Sequence, residues 1–149
     1  MSPSDRLQAV LDRKGGQVWS VPPSITVYEA IAMMSEREIG AVPVVEDGQL
    51  VGMLSERDYA RKVILQGRSS RDTPVADIMS TTVITVSPGE TVENAMRMMT
   101  EHRVRHLPVL AGGRVAGIVS IGDLVNWVIS AHQEEIEHLR TYIGASYPA

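Results

Sequence analysis

The 149-residue chain contains no cysteine and no phenylalanine, and aromatic residues make up only 4% of it. Without cysteine it forms no disulfide, no thiolate metal site and no thiol nucleophile, and this composition fits a reducing, cytoplasmic compartment. With so few aromatic residues, the hydrophobic interior has to be built from valine, isoleucine, leucine, methionine and alanine.

An excess of positive charge and a long apolar run are also missing. The formal net charge of -4 gives no general attraction to nucleic acid or to an anionic membrane. No apolar run reaches the length of a membrane span, and the first residues lack the apolar core of a signal peptide. We therefore expect a cytoplasmic protein with neither a nucleic-acid nor a membrane partner.

The signatures of common nucleotide enzymes and metal enzymes are absent as well. The sequence has no G-x-G-x-x-G motif and no G-x-x-x-x-G-K-[ST] motif, which argues against a Rossmann dehydrogenase and a P-loop enzyme. His132 and His138 lie six residues apart, on different faces of a helix, and so do not form a metal-binding pair. The sequence predicts no metal site and no catalytic residue.

The chain is a tandem repeat, because adding 65 to a residue number in the first half gives its partner in the second half without a gap. The identical pairs include proline, valine, glycine, serine and aspartate positions. These pairs are Pro43 and Pro108, Val44 and Val109, Gly52 and Gly117, Ser55 and Ser120, and Asp58 and Asp123.

Each repeat has the same order of periodicities, which predicts a β-α-β-β-α unit. A short apolar stretch ends in a proline-containing turn, and a helix follows with Thr26 or Thr91 at its N-cap. A hairpin comes next, its turn marked by Asp47-Gly48 in the first repeat and by Gly112-Gly113 in the second. A second helix begins where the hairpin ends. The fold class is therefore α+β, with two repeats that bury their apolar faces together.

Two segments of each repeat resemble those of the CBS-domain family: a hydrophobic-Pro-Val strand and a Gly-x-x-Ser-x-x-Asp stretch. In the first repeat these are Val42-Pro43-Val44 and Gly52 to Asp58, and in the second they are Leu107-Pro108-Val109 and Gly117 to Asp123. The resemblance implies tandem CBS repeats packed as a pseudo-twofold pair, a Bateman module.

The resemblance also implies the domain organisation. The first repeat covers residues 14–66, and residues 67–82 form the linker and the start of the second repeat. The second repeat covers residues 79–130, and residues 131–149 extend the last helix. In the family, the clefts of such a pair bind AMP, ADP, ATP, NAD(H) or S-adenosylmethionine and pass the signal to a neighbouring domain.

Asp58 and Asp123 are the leading candidate binding residues. A carboxylate at a helix start either caps backbone N–H groups or accepts hydrogen bonds from both hydroxyls of a ribose, as acidic residues do in other nucleotide folds. Ser55 and Ser120, three residues earlier, either cap the helix or bind phosphate at its N-terminus. Their repetition and the family resemblance favour the nucleotide-binding interpretation.

By the resemblance, each cleft combines the Ser-x-x-Asp segment of one repeat with the first strand and pre-proline segment of the other. The first cleft contains two arginines and a histidine suited to a phosphate. Its residues are Ser55, Arg57, Asp58, Thr82, Ile84, Val104, Arg105 and His106.

The second cleft is larger and less charged, with Lys14 as its one cation, so it either admits a bulkier ligand or stays empty. Trp19 is placed either to stack on a base or to lie in the core. The residues of this cleft are Lys14, Gln17, Trp19, Ile39, Gly40, Ala41, Ser120, Gly122 and Asp123.

The spacing of apolar residues in the last helix predicts a homodimer. The apolar positions Val125, Ile129, Ile136, Leu139 and Ile143 follow a heptad seam that is interrupted at His132. The seam either packs on the chain's own core or meets a second copy, and we expect the second arrangement.

The sequence therefore predicts a non-catalytic sensor that binds an adenine nucleotide, AMP first among the candidates, and signals to a separate partner protein. Two alternatives from other classes stay open. One is a scaffold whose clefts are vestigial, and the other is an enzyme acting on a nucleotide, with His106 as its acid-base group.

Overall fold

The computed structural model describes residues 1–144, with side chains as far as residue 141. Its helices and two antiparallel sheets confirm the α+β fold class. A π-helical turn, Ala60–Ile64, continues the third helix, and a 3₁₀ turn spans Val75–Asp77. The remaining elements, in chain order, are α1 (Leu7–Lys14), α2 (Val27–Arg37), β1 (Ala41–Glu46), β2 (Gln49–Ser55), α3 (Glu56–Tyr59), α4 (Val92–His102), β3 (His106–Ala111), β4 (Arg114–Ser120) and α5 (Ile121–Gly144).

The two predicted hairpins are confirmed as antiparallel pairs, β1 with β2 and β3 with β4. Asp47 and Gly48 have φ values of 52° and 77°, and Gly112-Gly113 is also left-handed at both residues. A two-residue hairpin turn of type I′ requires this conformation at both central positions. In the first hairpin the register places Ala41 opposite Ser55, so the start of one strand meets the end of the next.

The short apolar stretch that opens the first repeat, Val18 to Val21, is predicted to be the first strand of the β-α-β-β-α unit but forms only a single bridge. The Val21 N–H donates to the Pro43 carbonyl at 3.1 Å, and the Val45 N–H donates to the Val21 carbonyl at 2.9 Å. Pro22 and Pro23 follow at once, and neither has an N–H with which to extend the ladder. The strand therefore ends after one parallel bridge, between Val21 and Val44.

The chain divides into two compact units, and neither is a continuous stretch of sequence. Unit 1 contains Met1–Gly16, Val86–Leu107 and the residues from Val119 onward, whereas unit 2 contains Gln17–Thr85 and Pro108–Ile118. The N-terminal segment thus belongs with most of the second repeat, and residues 67–82 stay with the first.

The core of unit 2 is aliphatic, as the composition predicts. The buried face of α2 packs with the hairpin strands and with two residues that follow the first repeat in sequence. These buried residues are Val27, Ala30 and Met34 of α2, Val42, Val44 and Leu54 of the hairpin, and Val75 and Ile78. The segment between the repeats therefore contributes to the core rather than only connecting the repeats.

The N-terminal segment has the same role in unit 1 that residues 73–78 have in unit 2. The Leu7 N–H donates to the Glu90 carbonyl at 2.8 Å, and the Val75 N–H donates in the same way to the Ile25 carbonyl at 2.8 Å. Leu7 and Val75 are both fully buried. The two acceptors, Ile25 and Glu90, are equivalent positions of the two repeats. Each repeat is therefore completed by the segment that precedes the other repeat in sequence.

Leu7→Ala should therefore destabilise unit 1, although Leu7 lies before the first repeat in sequence. Removing a fully buried leucine side chain costs about 2–5 kcal/mol of unfolding free energy, which urea denaturation would measure. Gln8→Ala, at the exposed next position of α1, is the matched control and should change stability little. Equal midpoints for the two variants would show that the N-terminal segment does not contribute to the core.

Candidate functional site

Ser55 and Asp58 form a complete capping box where β2 passes into α3. The Ser55 hydroxyl accepts a hydrogen bond from the Asp58 N–H at 3.1 Å, and Asp58 Oδ2 accepts from the Ser55 N–H at 3.0 Å. The Ser55 hydroxyl also donates to Oδ2 at 3.0 Å. The box satisfies two backbone donors that a helix start leaves free, so both residues cap the helix.

The second oxygen of Asp58 connects α3 to a distant part of unit 2. Oδ1 accepts from the Ser80 hydroxyl at 3.3 Å and lies 3.1 Å from the Lys62 ammonium, which also donates to the Ile78 carbonyl. The Asp58 side chain is only 13% exposed, so the ion pair is partly shielded from water. Lys62 and Ser80 are therefore part of the site, and sequence reasoning missed them, although a lysine four residues after an aspartate on a helix is a recognisable pair.

Ser120 and Asp123 repeat the capping arrangement at the start of α5. Asp123 Oδ2 accepts from the Ser120 N–H at 2.8 Å, and the Ser120 hydroxyl accepts from the Asp123 N–H at 3.1 Å. Lys14 Nζ lies 2.7 Å from the same carboxylate oxygen. The structure thus brings together Lys14, Ser120 and Asp123, three of the predicted binding residues, within unit 1.

The two aspartates pair with lysines of different origin. Lys62 lies one helical turn after Asp58, whereas Lys14 comes from the end of α1, 109 residues before Asp123. The second-repeat counterpart of Lys62 is Trp127, whose indole N–H donates to the Ser2 carbonyl and to Asp5 at 3.1 Å each. The ion pair at Asp123 therefore joins the N-terminal segment to α5.

Each pre-proline segment lies beside the Ser-x-x-Asp segment of its own repeat. The Gly40 carbonyl accepts from the Glu56 N–H at 3.0 Å in unit 2, and the Arg105 carbonyl accepts from the Ile121 N–H at 2.8 Å in unit 1. The hairpin register causes this proximity, because it places the start of the first strand opposite the end of the second. The sequence prediction instead combines each of these segments with the Ser-x-x-Asp segment of the other repeat, and that combination stays a prediction.

Trp19 has a cation over one face of its ring. The Arg37 guanidinium carbon lies 3.8 Å from the ring centroid, and the indole is only partly buried. Such stacking is a favourable cation–π contact, and it restricts the orientation of the ring. Of the two predicted placements of Trp19, deep burial in the core is wrong, and stacking on a base stays a prediction.

The other predicted binding residues are divided between the units. Unit 2 contains Gln17, Ile39, Ala41, Arg57, Thr82 and Ile84, and unit 1 contains Val104, His106 and Gly122. Arg57, Thr82 and Gly122 are exposed, whereas Ala41 is buried at the start of β1. Within residues 1–141, no cluster of histidine, aspartate and glutamate side chains suits a metal ion. Among residues 1–144, none of the helices combines the length and the hydropathy of a transmembrane segment.

The repeated hairpin, followed in both copies by a serine-aspartate helix start, defines a tandem module with one partly shielded carboxylate at the same position of each repeat. The family model described as "CBS domain" matches residues 8–64 and again residues 75–130. The chain belongs to the CBS-domain family.

Known relatives and structures agree with this assignment. The chain is 46% identical over 127 residues to a mitochondrial CBS domain-containing protein, CBSX3, of Arabidopsis thaliana. The match covers 82% of this chain and 62% of that protein, so the chain spans less than two thirds of this relative's length.

Two solved structures are close in fold. A protein with CBS domains from Burkholderia ambifaria has a TM-score of 0.81 and 45% identity, covering 85% of this chain and 95% of that one. The CBS domain pair of protein MJ0100, solved with 5′-methylthioadenosine and S-adenosyl-L-methionine, has a TM-score of 0.77 at 24% identity, covering 87% of this chain and 99% of that one. At this lower identity the second structure supports the fold alone.

Proposed function

We propose that this chain is a non-catalytic, cytoplasmic regulatory module that binds an adenosine-containing ligand, AMP first among the candidates. Both repeats contain one partly shielded carboxylate, Asp58 or Asp123, with a lysine at bonding distance, and this recurrence supports the proposal. The CBS domain pair of MJ0100, which shares the fold, was solved with two adenosine-containing molecules. ADP, ATP, NAD(H) and S-adenosylmethionine are the other candidates.

The carboxylate is suited to a ribose because its present contacts can be exchanged. At Asp58, two hydroxyls on adjacent ribose carbons can replace the Ser80 hydroxyl and Lys62 as hydrogen-bond donors. At Asp123 they can replace Lys14, and in both repeats the capping bonds to the backbone stay in place. The lysine that leaves the carboxylate then becomes a donor for the phosphate of AMP. Lys62 has this role at Asp58 and Lys14 has it at Asp123.

The remaining predicted residues complete the proposed sites. We assign Arg57, Arg105 and His106 to phosphate, Ser55 and Ser120 to the helix starts beside it, and Trp19 to a base. Main-chain and apolar contacts to the ligand come from Gln17, Ile39, Gly40, Ala41, Thr82, Ile84, Val104 and Gly122. Arg105 is the most informative of these, because a forked guanidinium can bind phosphate through two hydrogen bonds.

The signal follows from the ion pair at Asp123. Because Lys14 belongs to the N-terminal segment, a ligand that displaces it changes the attachment of α1 to α5. A ligand can shift such an equilibrium only by its differential affinity for the two states. We propose that the module acts as a homodimer and presents the change to a separate regulated protein.

A scaffold with vestigial sites is the second candidate, and one specific observation favours it. Both aspartates already cap their helices, so a purely structural role accounts for their repetition without any ligand. Calorimetric titration with AMP, ADP, ATP, NAD(H) and S-adenosylmethionine, followed by chromatography of the recovered ligand, separates the candidates. Saturable binding with the ligand recovered unchanged supports the sensor, absence of binding supports the scaffold, and consumption of the ligand supports an enzyme.

The phosphate assignment gives a salt-dependent prediction. Arg105→Ala should weaken AMP binding and flatten its dependence on ionic strength, because salt screens an exposed contact between guanidinium and phosphate. Arg97→Ala, which removes another exposed arginine of unit 1, should leave both quantities as in the parent. If titrations at several salt concentrations give parallel slopes for Arg105→Ala and the parent, the phosphate does not contact Arg105.

A further inference from the structure

The helix α5 has two apolar faces, and only one of them is covered. Unit 1 buries Leu124, Trp127 and Ala131, whereas every described side chain from His132 to Thr141 is exposed. A second row of large aliphatic residues lies on the exposed surface. These residues, with their exposed fractions, are Val125 (37%), Ile129 (49%), Ile136 (38%) and Leu139 (58%).

The spacing of this second row is that of a coiled coil. Val125, Ile129, His132, Ile136 and Leu139 are separated alternately by four and three residues, the a and d pattern of a heptad. This pattern keeps one continuous seam against a neighbouring helix over more than two heptads. The row is therefore suited to a partner helix with the same spacing, and a second copy of this chain supplies one.

Charges beside the row favour one orientation of the two helices. Glu135 occupies the g position before Ile136, and Arg140 occupies the e position after Leu139. In a parallel pair, a g residue faces the e residue five positions further along the other helix, so Glu135 faces Arg140 of the second copy, and the pair occurs twice. In an antiparallel pair centred on this segment, Glu135 faces Glu135 of the second copy.

We propose that two copies of this chain associate through a parallel two-stranded coiled coil formed by residues 125–139 of α5. The two His132 side chains face each other in one polar layer, which fixes the register at some cost in stability, as polar core positions do in such helices. This interface rests on the homodimer of the proposed function, and it does not depend on the binding of a ligand. The Ile143 position of the predicted seam lies outside the described side chains.

Cysteine cross-linking tests the orientation directly, because the parent chain has no cysteine. In a parallel pair, the single thiols of a His132→Cys variant meet, and mild oxidation should convert most of the protein to a covalent dimer on a non-reducing gel. Glu137→Cys, on the outer face of the same helix, is the control and should stay uncross-linked. In an antiparallel pair position 132 faces position 136, so the His132→Cys variant would not cross-link to itself.

A charge exchange tests the pairing of Glu135 with Arg140. Glu135→Arg should weaken the dimer about fivefold in sedimentation experiments at low salt, because two attractive pairs become repulsive. The double variant Glu135→Arg/Arg140→Glu should recover the parent affinity. A Glu135→Arg variant that dimerises as well as the parent would contradict the parallel arrangement.

A third variant separates failure of the coiled coil from failure of the homodimer itself. Ile129→Glu/Leu139→Glu places charges in the seam and should give a folded monomer, since neither side chain contributes to the buried face of α5. A parent chain that is monomeric overturns both the coiled coil and the proposed homodimer. A dimer that survives this double substitution overturns the coiled coil and leaves the homodimer, with its interface elsewhere.

Discussion

Asp58→Ala should weaken AMP binding at the first-repeat site by about 1–3 kcal/mol, the usual contribution of hydrogen bonds to a charged group. This corresponds to a loss of affinity of roughly five- to 150-fold, which calorimetric titration resolves. Asp58→Asn retains one carbonyl oxygen as an acceptor and loses the charge, so its affinity should lie between those of the parent and the alanine variant. Asp77→Ala, which breaks the exposed ion pair with Arg68, is the matched control and should bind AMP as the parent does.

The same substitution also removes a helix cap, and the two effects are separable. Loss of the Ser55–Asp58 box should lower the unfolding free energy by about 1 kcal/mol, measured by urea denaturation without ligand. Because the α3 segment is short and at the surface of unit 2, most of the protein stays folded. If Asp58→Ala shows the stability loss with unchanged AMP affinity, the aspartate is a cap alone.

Gly52→Val should lower the unfolding free energy of unit 2, because the space beside this glycine is already filled. A β-carbon at position 52 would lie 2.7 Å from the sulfur of Met79 and 2.9 Å from the Ser80 carbonyl oxygen, closer than real contacts allow. The adjacent residue fixes that backbone, since Met53 and Ser80 exchange two N–H to carbonyl hydrogen bonds at 2.8–2.9 Å. The strand therefore cannot move away without breaking this pair.

The expected cost is about 1–3 kcal/mol, the usual range for overpacking a well-packed site, and urea denaturation measures it. Because a bound ribose replaces the Ser80 hydroxyl at Asp58, loss of this hydrogen bond should not by itself weaken AMP binding. Gly16→Ala is the control, because a β-carbon there meets nothing within 4 Å. A Gly52→Val variant that unfolds at the parent's urea midpoint would show that the close approach of Met79 and Ser80 is not retained in solution.

Local sequence signals predicted the elements that local chemistry determines. The hairpin turn at Asp47-Gly48 needs left-handed φ values that these residues adopt at little cost, so two residues identify it. Thr26 and Thr91 cap α2 and α4 as expected, because a threonine hydroxyl satisfies a backbone donor at a helix start. In each case the relevant atoms lie within three residues along the chain.

Contacts between distant segments could not be predicted in this way. The hydrogen bond from the Leu7 N–H to Glu90 joins residues far apart in sequence, and no periodicity in Met1–Gly16 indicates which repeat that segment completes. The contact between the Ser80 hydroxyl and Asp58 is also long-range, since an antiparallel bridge between Met53 and Ser80 positions that segment. Long-range placement depends on which apolar faces fit together, and a single sequence does not contain that information.

The helix α5 shows both situations in one element. Its heptad spacing was visible in the sequence, but the sequence left open whether the seam packs on the chain's own core. In the structure, Leu124 and Trp127 are buried in the core of unit 1, whereas Ile129 and Leu139 are exposed. Two apolar rows on one helix explain the ambiguity, because the pattern predicts both rows and only the fold shows which of them is covered.

Equilibrium dialysis with labelled AMP measures whether an adenosine-containing ligand binds at the two Ser-x-x-Asp helix starts. The parent chain should bind AMP saturably, and the double variant Asp58→Ala/Asp123→Ala should lose most of that binding while it keeps the parent's circular dichroism spectrum. Asp77→Ala should bind as much AMP per chain as the parent does. Equal binding by the parent and by the folded double variant, or no binding by the parent to any ligand of the panel, would show that the two helix starts do not bind an adenosine-containing ligand.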